Sequence, residues 1–234
     1  MDKHISNRFD AELREVSTRV LEMGGLAESQ VARAVYALVN MHDETATQVL
    51  VDEARINQME VEIDALMQRI VATRQPAAVD LRLLIAISKA TANLERVGDE
   101  AARIARTVQR LLASGISPRL RLPVNDLDYV SQLATAQLHK ALDAFARMDA
   151  QQALAVLKED NRIDEEFGGL LRKLVTFMME DPRTIGASID LVFVAKAIER
   201  VGDHAKNISE ATIYVAKGED VRHTALEQVE NVVR

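Results

Sequence analysis

Glu95 and Asp99 stand four residues apart in the run Glu95-Arg96-Val97-Gly98-Asp99, and the pentapeptide returns as Glu199-Arg200-Val201-Gly202-Asp203. On a helix, two carboxylates at this spacing share one face. Such a pair offers oxygen ligands to a hard cation. The arrangement has a local cost. Like charges one turn apart destabilise a helix by roughly 0.2–0.5 kcal/mol, and an interior glycine costs about 1 kcal/mol relative to alanine. Breaking both rules twice, 104 residues apart, points to an internal duplication and to a functional or close-packing need. The glycine either clears the surface between the carboxylates or lets another backbone approach.

The elements that carry these pairs are legible from periodicity. Leu83, Ile87, Ala90, Leu94, Val97, Ala101, Ile104, Val108 and Leu111 alternate spacings of four and three. Leu191, Val194, Ile198, Val201, Ala205, Ile208, Thr212 and Val215 repeat that seam. Both belong to helices packed lengthwise against other helices. Val49, Ile56, Ile63 and Ile70 recur seven apart, and Val156, Ile163, Leu170 and Phe177 match them at an offset of 107. Leu38 and Met41 match Phe145 and Met148 at the same offset. The four prolines punctuate: Pro76 and Pro182 each end a helix midway through a half, and Pro118 and Pro123 mark a linker. The expected fold is all-α, two tandem pseudo-repeated three-helix bundles with long antiparallel helices. The first bundle spans 1–113, the linker 114–123 and the second bundle 124–218, and the tail 219–234 adds a short helix. Helices of this length run roughly 45 Å.

In an antiparallel hairpin, residues equidistant from the loop sit at one level. About Pro182, Asp160 is level with Asp203, and Asp164 with Glu199. About Pro76, Glu53 is level with Asp99, and Asn57 with Glu95. The second half thus brings four carboxylates to a common height and the first half three, with an amide. Unrelieved, such a group raises its own pKa values. Either a cation or a neighbouring arginine, such as Arg96 or Arg103, relieves it. Oxygen-only ligation suits magnesium, calcium, manganese or ferric iron, and admits zinc. Glu60 and Asp64 share the spacing, but align with Phe167 and Leu171 and read as a charged face.

The formal net charge of −7 argues against a nucleic-acid partner. With no cysteine, disulfides and thiolate metal sites are excluded. The N-terminal residues lack the apolar core of a secretory signal, and no run approaches a membrane span. A cytoplasmic location is expected. No histidine follows a glutamate by three residues, so the di-iron bundle signature is missing. Nucleophile elbows and glycine-rich phosphate loops are missing as well. The paired glycines in "EMGGLAES" and "EFGGLL" read as close helix contacts or bends. An enzyme is not expected.

The chain resembles the PhoU family over nearly its whole length. The resemblance is carried by "KHISNRFDAELREV", "MGG", "RQPAAVDLRL", "LERVGD", "LDAFARMD", "MMEDPRTI", "IERVGD" and "KGEDVRH". It implies multinuclear metal clusters on Glu/Asp-x-x-x-Asp motifs, here Glu95–Asp99, Asp160–Asp164 and Glu199–Asp203. Glu53–Asn57 departs at Asn57, whose neutral amide is a weaker ligand and cannot bridge two metals. The resemblance further implies a homodimer that links the ATPase subunit of the phosphate ABC transporter to the sensor histidine kinase of a phosphate two-component system. Such a protein keeps signalling off when phosphate is plentiful and meets the membrane only through those partners. The competing reading is a metal-binding helical scaffold or metal-storage bundle with no signalling role.

Overall fold

The computed structural model describes residues 7–114 and 123–234, apart from the side chain of Asp160. Most of the expected linker, including Pro118, lies outside the described residues. Among the described residues seven α-helices follow one another: α1 Asn7–Asn40, α2 Asp43–Arg74, α3 Ala78–Ala113, α4 Val124–Arg147, α5 Ala150–Glu180, α6 Ile185–Lys217 and α7 Leu226–Val233. A 3-10 turn, Pro182–Thr184, precedes α6. No helix among the described residues is long and apolar enough to cross a membrane.

The duplication is visible in the turns. Met41 and Met148 both adopt left-handed φ values, 49° and 52°. In each case the following amide bonds back to the helix, His42 N–H to Ala37 O and Asp149 N–H to Ala144 O, both at 2.9 Å. This is the hydrogen-bonded helix stop that lets a chain reverse within two residues. The next helix is then capped at once, by His42 Nδ1 in α2 and by Asp149 in α5.

Within each half the three helices pack on one another, and the halves join through α1 against α4 and α3 against α6. The seam residues of α3 and α6 are buried almost without exception. Gly24 supplies the close approach between α1 and α4: a Cβ there would lie 2.7 Å from Leu142 Cδ2. Between α3 and α6, Arg200 pairs with Glu100 (3.0 Å), Asn207 with Asn93 (3.0 Å) and Arg110 with Asp190 (3.4 Å). Partners rise along one helix as they fall along the other, so the two are antiparallel. The repeated pentapeptides lie side by side at the crossing, about a local two-fold that exchanges the halves. Around Gly218, Val221, Val229 and Val233 fold the tail onto Ala150, Ala153, Leu154 and Ile213 in a small second core.

Candidate metal centre

Ile56 of α2 and Ile163 of α5 fix the centre of each half. A Cβ on Gly98 would lie 3.0 Å from Ile56 Cδ1 and 3.2 Å from Gln30 Oε1. The equivalent atom on Gly202 would lie 3.0 Å from both Ile163 Cδ1 and Gln137 Oε1. Gln30 and Gln137 are themselves buried, and each donates its amide to an equivalent carbonyl, Val49 O at 2.8 Å and Val156 O at 3.3 Å. The pentapeptide glycine therefore faces the core. It makes room for a buried amide and an isoleucine, rather than clearing the surface between Glu and Asp.

Ile56 also orients its own helix. Glu53 and Glu60, three residues before and four after it, share its stripe and face α3. Asn57, one residue on, is exposed. Burial raises the Glu95 carboxyl above the ordinary range, and Asp99, Glu60 and Glu53 add to the effect while Arg96 opposes it. Glu60 is raised by burial too, then by Asp64 and Asp99. The first half thus gathers Glu53, Glu60, Glu95 and Asp99 around the Gly98 crossing. Glu53 is held by Arg106, whose Nη2 lies 2.7 Å from Oε2.

In the second half Ile163 holds α5 the same way. The stripe position matching Glu60 is Phe167, whose ring lies 5.6 Å beneath Lys196 Nζ. Lys196 turns back to Glu199, 2.6 Å from Oε1. Asp164 and Asp203 are exposed, and the side chain of Asp160 lies outside the described residues. Among the described residues no three His, Asp or Glu side chains converge tightly enough to hold a metal ion. The donor chemistry nonetheless fits a hard cation: oxygen atoms only, crowded enough in the first half to hold Glu60 and Glu95 above their ordinary range.

The helical framework is shared with proteins of known kind. The PhoU domain matches residues 20–108, within α1–α3, and again 127–212, within α4–α6. The chain is 47% identical over 232 residues to the phosphate-specific transport system accessory protein PhoU homolog of Pseudomonas aeruginosa, covering 97% of this chain and 95% of that one. It is 41% identical over 233 residues to the phosphate-specific transport system accessory protein PhoU of Escherichia coli, covering 100% and 95%. The chain belongs to the PhoU family. The crystal structure of PhoU from Pseudomonas aeruginosa superposes with a TM-score of 0.83 at 46% identity, over 90% of this chain and all of that one. The PhoU regulatory protein of the Streptococcus pneumoniae phosphate transport system gives 0.82 at 28% identity, over 91% and 99%.

Within this PhoU framework three features stand beyond the expected set. Asp64 and Asp99 add to the rise in the Glu60 pKa, so Glu60 joins Glu53, Asn57, Glu95 and Asp99 as a candidate. Its signal was available, because it shares a helical stripe with Glu53 and Ile56. Gln30 and Gln137, related by the 107-residue offset, were legible as a matched polar pair inside apolar runs. Glu100 is buried and binds Arg200 across the two halves; its counterpart in the repeat is His204, so no repetition marked it.

Proposed function

We propose that this chain is a regulatory accessory protein of a phosphate-specific transport system, coupling the transporter ATPase to a sensor histidine kinase and holding signalling off when phosphate is plentiful. The observation that carries the reading is the near full-length match, at 41–47% identity, to the accessory proteins of Pseudomonas aeruginosa and Escherichia coli. Long packed helices with no catalytic constellation of the kinds named above suit a docking role. A homodimer in the cytoplasm, reaching the membrane only through its partners, completes the proposal.

Metal ions belong to the same proposal. In the first half Glu53, Asn57, Glu95 and Asp99, with Glu60 beside them, would hold one, and in the second Asp160, Asp164, Glu199 and Asp203. Bound there, a di- or trivalent cation would neutralise carboxylates that otherwise repel one another. Glu95 and Asp99 would then be tied to α2, and Glu199 and Asp203 to α5. Affinity capture from phosphate-replete cells, under conditions that keep weak complexes, tests the adaptor role. Recovery of the transporter ATPase and the sensor kinase is expected. Recovering neither would leave the alternative, a metal-binding scaffold without a signalling role, as the better account.

A further inference from the structure

The repeated pentapeptide contains a third invariant side chain that the carboxylate site does not use. Arg96 and Arg200 occupy equivalent positions, one on α3 and one on α6. Because the helices cross at this level, both arginines open into a single cavity between the halves, about 690 Å³ in volume. That is the size range of small-molecule sites. Its walls are built in equivalent pairs about the local two-fold: Arg96 with Arg200, Asp99 with Asp203, and Arg103 with Asn207. The loop after α6 adds Arg222 and Thr224 at one end.

We propose that this inter-repeat cavity binds a phosphate-type oxyanion of two or more charges, with Arg96, Arg103 and Arg200 as its principal donors. Each guanidinium carries five N–H donors in a planar fork that matches the oxygens of phosphate. Among the described residues Arg96 makes no direct hydrogen bond or ion pair, although it lines a polar cavity. Arg103 and Arg200 each commit one nitrogen, Nη1, to the buried Glu100, at 3.4 and 3.0 Å. Their remaining donors are left for the cavity. Glu100 is thereby countered from two sides, so the negative charge facing the cavity is less than a residue count implies. Asp99 and Asp203 also line the cavity and oppose an anion. The arginine forks must outweigh them, which favours a multiply charged oxyanion over chloride.

The site is independent of whether the chain docks on a kinase or an ATPase, and its test uses neither. Calorimetric titration of the full chain, both chelator-treated and magnesium-loaded, uses inorganic phosphate and pyrophosphate, with chloride as the control. Saturable binding of either phosphate probe is expected, weakened roughly tenfold or more in Arg96→Ala/Arg103→Ala. Arg96→Ala alone, which removes no pair within the described fold, should give part of that loss with the thermal melt unchanged. Sensitivity to the arginines, with or without magnesium, supports the site. Binding indifferent to them, including binding that appears only with magnesium, would place the anion on a metal and overturn it. No saturable binding beyond the chloride control overturns it equally.

Discussion

The two halves share a backbone and differ in how they answer the crowding of their carboxylates. In the first, α2 sends Glu53 and Glu60 toward Glu95 and Asp99; Arg106 clamps Glu53, while Glu60 and Glu95 are left with raised pKa values. In the second, the position of Glu60 is taken by Phe167, and Lys196 lies over its ring and bonds to Glu199. One half therefore tolerates repulsion, and the other brings in an ammonium group held by an aromatic face. The apolar framework beneath is the part both halves keep: an isoleucine, a glycine and a buried glutamine meeting at one crossing. The lesson is that duplication has preserved the packing that sets the heights, and has let the charge pattern drift on top of it.

The largest effects should come from that shared framework, and they should be equal. Ile56 and Ile163 are both almost fully buried. Truncation of either, Ile56→Ala or Ile163→Ala, is expected to cost about 2–5 kcal/mol. Chemical denaturation followed by helical circular dichroism measures both. A loss at Ile163 well below that at Ile56 would mean the second crossing is loosely packed, and the comparison would rest on outline alone.

Metal affinity should separate the halves where packing does not. Glu60→Gln keeps the shape and removes a charge, so manganese binding to chelator-treated protein should weaken roughly tenfold at the first-half site. Phe167→Glu introduces the missing charge into the second half and is expected to tighten binding there by a similar factor. Melting curves on both variants separate lost ligation from lost folding. An isotherm unchanged by Glu60→Gln would remove Glu60 from the site and return the first half to the weaker ligand set built on Asn57.

Helix boundaries and antiparallel hairpins were readable because each depends on local rules: proline stops, seam spacing and seven-residue recurrence. The 107-residue match of Met41 with Met148 marks where both opening helices end, while the left-handed turns there are seen only in the structure. Reading the site required helix rotation, and mirror counting about a loop supplies only height. Asn57 and its counterpart Asp164 are both exposed, whereas Glu53 and Glu60 share the stripe of Ile56, and height alone does not separate them. The interface between halves was harder still. Glu100, Arg200, Asn93 and His204 meet only because α3 and α6 cross, and no spacing within one helix reports that crossing.

Glu100 and His204 make the finest test of the comparison, because the local two-fold exchanges them while their chemistry differs. Glu100 is buried between Arg200 and Arg103. His204 is half-buried and neutral: Nδ1 lies 2.9 Å from Asn93 Oδ1, so this nitrogen carries the proton and donates. Burial, reinforced by Arg96 and Arg200, lowers its pKa to about 4. In the unfolded chain the imidazole titrates near its ordinary value of about 6.5. Between the two values the unfolded state binds the extra proton, so stability rises with pH and is lost as pH falls from about 6.5 to about 4. His204→Asn places an amide donor near the Nδ1 position and cannot titrate. The difference in stability between wild type and variant should therefore shrink on acidification, by ~1 kcal/mol between pH 7 and pH 5 once partial solvent access is allowed for. Thermal melts of both proteins at the two pH values measure it. A difference that stays constant with pH would mean His204 protonates in place, and the two equivalent positions would then differ in charge sign but not in their tolerance of charge.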